Sequence, residues 1–304
     1  MSSIAESESE KSQPLPLVSV IVITYNSAKY VIETLESIRS QTYRNIELVV
    51  SDDCSNDKTV ELTKDWMSRN SQFFTNSKLV ATVKNSGVAI NCNNGLNNAS
   101  GTWIKLIAGD DLLEPFAIRS YLDFIYHEKD ARVVISNCTY FGLKSGKADF
   151  PEYFGLLSAK GQLNYFLVHL APSFGPTGFA HRETLLEVGG YDETYPMIED
   201  IPISLRLHSK NVKIYLLSEC LVKYRISSEG ISSGPKFSDR FWEMINALIL
   251  PYTKKNKFFL VYIHYRIEYF LYKNRESGFF GHRLFRYFMK TLDYFAWRRR
   301  VVGY

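Results

Sequence analysis

The chain has 304 residues, 45% hydrophobic and 22% charged, with a formal net charge of +4, so a substantial core is available to a soluble globular fold. Its four cysteines, Cys54, Cys92, Cys138 and Cys220, form no CxxC pair, and its six histidines form no HExxH cluster, so neither a zinc cage nor a disulfide scaffold is suggested. No apolar run reaches the roughly 18–20 residues that a membrane-crossing helix needs, and the acidic start with Glu6, Glu8 and Glu10 does not read as a secretory signal. A cytoplasmic, reducing location is expected.

Residues 1–16 read as a disordered N-terminus ending at Pro14 and Pro16. The first strand is Val18–Ile23, followed by a helix from about Lys29 to Ser40 with Tyr30, Val31, Leu35 and Ile38 on one face. Ile46–Val50 is the second strand, and Asn56 or Asp57 suits the N-cap of a helix over Thr59–Arg69. Leu79–Val83 reads as the third strand. Val88–Ala99 reads as a helix in spite of its asparagines, and Trp103–Ala108 as the fourth strand. Pro115 opens a helix running to about Glu128, and Arg132–Ser136 is a fifth strand.

The pattern loosens between Gly142 and Gly175, with one short helix expected over Gln162–Leu170. Phe179–Arg182 reads as a short strand, and Glu183–Val188 as a helix stopped by Gly189 and Gly190. Asp200–Ser209 is a further helix, Val212–Leu217 and Leu221–Arg225 are two strands, and Ser227–Gly234 is a loop. Three helices close the chain, over about Ser238–Leu250, Phe258–Asn274 and His282–Arg299. Apolar strands separated by helices predict an α/β fold with a mostly parallel sheet and helices on both faces. Such sheets bind ligands beyond the carboxyl ends of their strands, where Thr24-Tyr25-Asn26, Ser51-Asp52-Asp53 and Gly109-Asp110-Asp111 fall.

Two adjacent carboxylates in one loop repel each other unless something positive shares the site. For Asp110 and Asp111 a divalent ion with oxygen ligands, Mn or Mg, is the natural partner, completed by substrate phosphates. An aspartate ahead of Pro115 also suits a helix N-terminus. Asp53 offers an acceptor to the N3–H of a pyrimidine, and Tyr25 a face on which a base stacks. Asn26, Asn56 and Asp57 also suit turns. Asn85-Ser86-Gly87 and Asn93-Asn94-Gly95 are expected to bring backbone close to a ligand.

Several ordered motifs resemble the family-two glycosyltransferases of GT-A fold. They are Val18–Asn26, Leu35–Tyr43, Ser51–Thr59, Asn85-Ser86-Gly87, Ala108–Asp111, Val188–Glu193, Glu199-Asp200, Leu205-Arg206-Leu207 and Tyr224-Arg225, spread over roughly residues 17–230. The resemblance implies a Rossmann-like GT-A catalytic domain over 17–235 and a basic, aromatic helical extension over 236–304. It implies an inverting enzyme that moves a sugar from a UDP- or dTDP-sugar. Thr24, Tyr25, Asn26 and Asp53 would hold the nucleotide, with Asp110 at the ribose and Asp111 holding the metal on the diphosphate. Asp200 would be the general base, with Gly189, Gly190 and Glu199 on the sugar side. A polyprenyl-linked saccharide acceptor and a place in surface polysaccharide synthesis, of O-antigen, capsule or lipopolysaccharide type, are what bacterial members of this kind imply. The sequence departs from the family at Ala108, where an acid is frequent, at Cys92, where an Arg is common before the asparagine, and at Ser227, where a His often stands.

From Lys254 onward there are twelve Lys/Arg against three acids. In the last helix Arg283, Arg286 and Lys290 share one face while Leu284, Phe285, Phe288, Leu292 and Phe295 share another. This reads as a helix over 282–300 lying on an anionic inner-membrane surface, placing the protein peripherally on the cytoplasmic face. Packing of such helices on the body or on a second subunit is the competing reading. No nucleic-acid partner is expected. A sugar nucleotidyltransferase needs a Gly-rich basic loop where Thr24–Ala28 stands. A catalytically silent membrane- or partner-binding domain is opposed by Asp53, Asp110, Asp111 and Asp200.

Overall fold

Val18–Thr24 forms β1 with every residue buried, as expected of a strand covered on both faces. The computed structural model describes residues 15–171, 174–228 and 235–273. Helix α1 (Val31–Arg39) leads to β2 (Ile46–Asp52), also fully buried, and α2 (Thr59–Asn70) leads to β3 (Asn76–Ala81). β3 starts earlier than the apolar pattern indicates. It is an edge strand, so Asn76, Ser77 and Lys78 stay half in water, while Val83 lies beyond it almost fully exposed. Helix α3 (Val88–Asn98) precedes β4 (Trp103–Ala108). The short β5 (Leu112–Leu113) then leads to α4 (Ala117–His127) and the ten-residue β6 (Val133–Gly142), longer than its apolar core suggests.

β7 (Gly146–Ala148) folds back on β6, and α5 (Tyr153–Leu156) and α6 (Ala159–His169) fill the loosely patterned region. β8 (Gly178–His181), α7 (Arg182–Glu187), α8 (Asp200–Ser209) and β9 (Ile214–Ile226) follow. The two strands expected over 212–225 are a single β9. Ser136 faces Leu217, Asn137 faces Cys220 and Cys138 faces Val222, so the polar Ser218-Glu219 is absorbed as an irregularity. Asn137 fills the gap, donating to the Ser218 carbonyl at 3.0 Å and accepting from the Phe150 N–H at 2.8 Å.

The sheet order is β3-β2-β1-β4-β8-β6-β9-β5. β3, β2, β1 and β4 are mutually parallel, giving the expected α/β half; β8 then enters antiparallel to both β4 and β6. The period of two along β1 divides the core. Val18, Val20 and Val22 pack with α1 and α4; Ile21 and Ile23 pack with α3, α6 and α8. Each layer anchors a different set of loops at the same sheet edge.

The chain closes with α9 (Pro235–Met244), a π-turn over Ile245–Ile249, α10 (Leu250–Lys255) and α11 (Phe259–Lys273). Met244, Ile245, Ile249, Leu250, Val261 and Tyr265 share a third cluster with Phe166 and Leu167 of α6 and Ile201 and Leu205 of α8. The first two closing helices expected from sequence therefore pack on the body. The third, over 282–299, lies outside the described residues. Among the described residues no helix is long and apolar enough to cross a membrane.

Candidate active site

The loops after β1 and β2 are stitched side by side. The Thr24 hydroxyl donates to Asp52 at 2.8 Å, and Asp52 also accepts from the Ser55 N–H at 2.9 Å. Asn26 adopts a left-handed φ of 51°, tolerable for asparagine; its N–H donates to Ser55 Oγ and its side-chain oxygen accepts from the Asn56 N–H, both at 2.8 Å. Asp57 accepts from the N–H groups of Ala28 at 3.0 Å and Thr59 at 2.9 Å, joining the first loop to the start of α2. Thr24 and Asn26 thus spend their side chains on the loops themselves. Tyr25 is left with its ring 43% exposed on the rim, free to meet a planar ligand.

Asp53 is buried beside Thr24, whose carbonyl accepts its N–H at 2.9 Å. Its Oδ1 accepts from the Ser86 N–H at 2.9 Å and the Thr82 hydroxyl at 3.2 Å, and its Oδ2 from the Gly87 N–H at 2.7 Å. A carboxylate has about four acceptor positions, so one remains, on Oδ2. The Asn85-Ser86-Gly87 loop is therefore held by Asp53. Gly87, at φ 97°, is required by packing, since a Cβ there would lie 2.5 Å from the Pro196 carbonyl oxygen. Gly95 likewise serves helix–sheet packing, with a would-be Cβ 2.3 Å from Ile21, rather than the ligand approach expected from sequence.

Asp110 and Asp111 occupy the turn between β4 and β5. Asp111 is 1% exposed; its Oδ1 accepts from the Arg225 N–H at 2.8 Å, and its Oδ2 is buried with no hydrogen-bond partner. Burial, then the charge of Asp110, pushes the Asp111 carboxyl well above the usual range; burial raises Asp110 as well, against the pull of Arg225. A buried carboxylate oxygen with no donor is expensive unless a cation meets it. Among the described residues no three His, Cys, Asp or Glu side chains gather around one point, so the protein offers the couplet alone. That donor set fits Mg or Mn, which bind through one or two carboxylates and take their remaining ligands from phosphates and water.

Two residues given no role by the sequence reading support this turn. Arg225 donates through Nε to the Asp110 carbonyl at 2.7 Å and through a terminal nitrogen to Glu33 at 2.8 Å. Its guanidinium lies 4.2 Å from the Tyr30 ring centre and 4.3 Å from that of Phe141. Lys105, fully buried in β4, donates to the carbonyls of Leu106, Pro176 and Gly178, and its charge opposes the rise of the Asp111 pKa. Burial pulls the lysine itself down to about 7. A lone lysine within an otherwise apolar strand was the available signal.

A second group of candidate residues is carried by α3 and α8. Asp200 is the first residue of α8, and its Oδ1 accepts from the Ile201 N–H at 2.8 Å. Burial, then the neighbouring Asp200, pushes the Glu199 carboxyl up. Both charges also raise the buried Cys92 thiol and Tyr191 hydroxyl, for which burial is the larger cause, so the four groups share one region. Gly189 and Gly190, at φ 84° and 63°, close α7 by donating to the carbonyls of Leu186 and Leu185, each at 2.9 Å. Their own carbonyls accept from Arg206 of α8 at 3.1 Å. Asn93 of α3 accepts from the Tyr191 N–H at 2.9 Å and donates to the Tyr191 carbonyl at 2.9 Å. The glycine turn is thereby clamped between the two helices that carry Cys92 and Asp200. Asn91 completes the link, accepting from Ser51 Oγ at 2.6 Å and donating to the Thr24 carbonyl at 3.2 Å. The asparagines that weaken α3 as a helix are its fastenings to the site.

The profile of "Glycosyl transferase family 2" matches residues 19–175, just over half of the chain and all of the parallel half of the sheet. The chain belongs to this family. It is 29% identical over 226 residues to the putative glycosyltransferase EpsE of Bacillus subtilis, covering 70% of this chain and 74% of EpsE. It is 26% identical over 232 residues to the putative teichuronic acid biosynthesis glycosyltransferase TuaG of the same organism, covering 75% of this chain and 86% of TuaG. Among solved structures, S. aureus TarS 1-349 in complex with UDP-GlcNAc superposes with a TM-score of 0.63 at 20% identity, covering 94% of this chain and 81% of that one. That likeness shows the fold, GT-A. The chain is a family 2 glycosyltransferase with an α/β catalytic sheet.

Proposed function

We propose that this family 2 glycosyltransferase transfers a sugar, with inversion, from a UDP- or dTDP-sugar to a lipid-linked saccharide in surface polysaccharide synthesis. The observation that carries the reading is the buried, partnerless Oδ2 of Asp111 at the carboxyl edge of the sheet. Asp111, with Asp110 beside it, would hold a Mn or Mg ion there, whose charge would offset that building on the departing diphosphate. Tyr25 stacks on the base and the remaining Asp53 acceptor position takes the pyrimidine N3–H, while Asp110 faces the ribose. Asp200 accepts the proton of the attacking hydroxyl from the face opposite the diphosphate, which gives inversion. Glu199, Gly189 and Gly190 line the sugar side.

The likeness to TuaG, named for teichuronic acid biosynthesis, supports a surface polymer as the product, with O-antigen or capsule as the finer expectation. The complex of TarS with UDP-GlcNAc supports a uridine donor. A lipid-linked acceptor fits peripheral attachment to the cytoplasmic face of the inner membrane through the basic helix over 282–300. The test is thermal stabilisation by a panel of nucleotide sugars with and without Mn. A UDP- or dTDP-sugar that stabilises the protein only with Mn supports the reading. Equal, absent or metal-independent shifts across the panel overturn it.

A further inference from the structure

The turn between α10 and α11 is built in a way that the body of the fold does not require. Asn256 caps α10, and Lys257 follows it in the left-handed region at φ 62°. The Phe258 N–H donates to the Thr253 carbonyl at 2.8 Å, and the Lys257 N–H to the Lys254 carbonyl at 3.3 Å. This is the two-bond helix ending that glycine usually makes, because a Cβ disfavours that backbone conformation. Here the position keeps a long cationic side chain instead.

The turn is anchored from inside by the fully buried Thr253 and by Phe258, which packs on the third core cluster. Apart from Asn256, what it presents outward is basic or apolar. Lys254, Lys255 and Lys257 are exposed, and among the described residues none of them forms an ion pair. Phe259 and Leu260, immediately after them, are 66% and 46% exposed. Residues 251–267 contain no Asp or Glu. Helix α11 continues the same surface. Val261 and Tyr265 point into the core, while exposed Phe259 and Arg266 fall on the opposite face.

We infer that the α10–α11 turn, Lys254 to Leu260, is a membrane-contact point that places three lysines at anionic phospholipid headgroups and inserts Phe259 and Leu260 between them. Charge decides the occupant. Four cations without an acid complement a lipid surface carrying only negative charge, and the two apolar side chains at the same tip suit its shallow interfacial layer. The contact is made by residues distinct from the helix over 282–300 and is independent of the donor chemistry above.

The test is flotation of the full chain with vesicles of phosphatidylcholine alone or of phosphatidylcholine with phosphatidylglycerol. The wild type is expected to float with the anionic vesicles and not with the neutral ones. Joint substitution Lys254→Glu, Lys255→Glu and Lys257→Glu is expected to lower partitioning roughly a hundredfold or more, each lysine being worth about tenfold or less. Phe259→Ser with Leu260→Ser is expected to lower it at least about tenfold. Both variants should keep the wild-type melting temperature and its stabilisation by UDP with Mn. Anionic-vesicle flotation that either variant leaves unchanged overturns the inference. So does a wild type that binds neither vesicle, including one that instead self-associates through this face. Loss of UDP stabilisation in the wild type would count against the donor reading alone.

Discussion

The main-chain N–H of Arg225 donates to Oδ1 of Asp111 at 2.8 Å, while Oδ2 of the same carboxylate is buried with no partner. One oxygen of the group is fixed by the main chain of β9, and the other is left buried without a donor. The protein has oriented an anion without neutralising it locally. The charge of the fully buried Lys105 opposes the rise of the Asp111 pKa, and under the proposed function a cation delivered with the substrate would supply the rest.

Asp111→Asn is expected to abolish Mn-dependent stabilisation by the donor and to lower transfer by roughly a hundred- to a thousandfold. The apo melting temperature should not fall, because the variant removes a buried, unmatched charge. Differential scanning fluorimetry with and without UDP and Mn, beside a transfer assay, separates the two effects.

Asp200→Asn keeps shape and removes basicity. Donor stabilisation should match the wild type while transfer drops about a hundred- to ten-thousandfold. Normal turnover by the folded variant would assign the base elsewhere.

Arg225→Lys retains the charge but loses the Nε donor to Asp110 and the planar stack between Tyr30 and Phe141. The donor KM should rise about tenfold with a smaller change in kcat, since the residue positions the turn and does not touch reacting atoms. Steady-state kinetics over a range of donor concentrations reads this directly.

Asp53→Asn turns one of two carboxylate oxygens, each of which accepts a main-chain N–H, into an amide donor. A loss of about 1–3 kcal/mol of stability is expected in urea denaturation, together with weaker UDP binding.

On acidification two groups should cost stability, in opposition to the gain expected from the raised carboxyls of Asp110, Asp111 and Glu199. His208 is buried against Phe154 and Phe166 with neither ring nitrogen bonded, and burial pulls it down to about 4. Its folded pKa lies below the unfolded value, so its contribution is present above about pH 6.5 and is lost as pH falls toward 4, at most about 3 kcal/mol. Burial alone would raise Glu47, but donors from Ser100, Ser19 and Lys78 bring it down to about 2, so its contribution is lost only below about pH 4.5. Urea denaturation of His208→Leu should show the first step removed and the second retained.

The positions of Asp53, Asp110 and Asp111 were legible because each follows an apolar strand, and strand ends at one sheet edge are where such folds bind ligands. What the side chains do there was less legible. A hydroxyl or amide in a turn looks the same whether it bonds a ligand or a neighbouring loop, and Thr24 and Asn26 bond loops. Two of the three acceptors of Lys105, the Pro176 and Gly178 carbonyls, come from more than seventy positions away, so the strand alone reveals an interruption but not its purpose. The fusion of two short strands into β9 depends on β6 accommodating an irregularity, which is a property of the pair. The packing of α9 to α11 on α6 and α8 is equally non-local; their basic, aromatic composition describes the outer face and conceals the inner one.

The most direct measurement is a crystal structure with Mn and UDP bound, using the anomalous signal to locate the metal. The account predicts a manganese at Oδ2 of Asp111, bridged to the diphosphate, with the uracil against Tyr25. A nucleotide bound with the metal elsewhere, or with Asp111 Oδ2 satisfied by the protein's own donors, would contradict it.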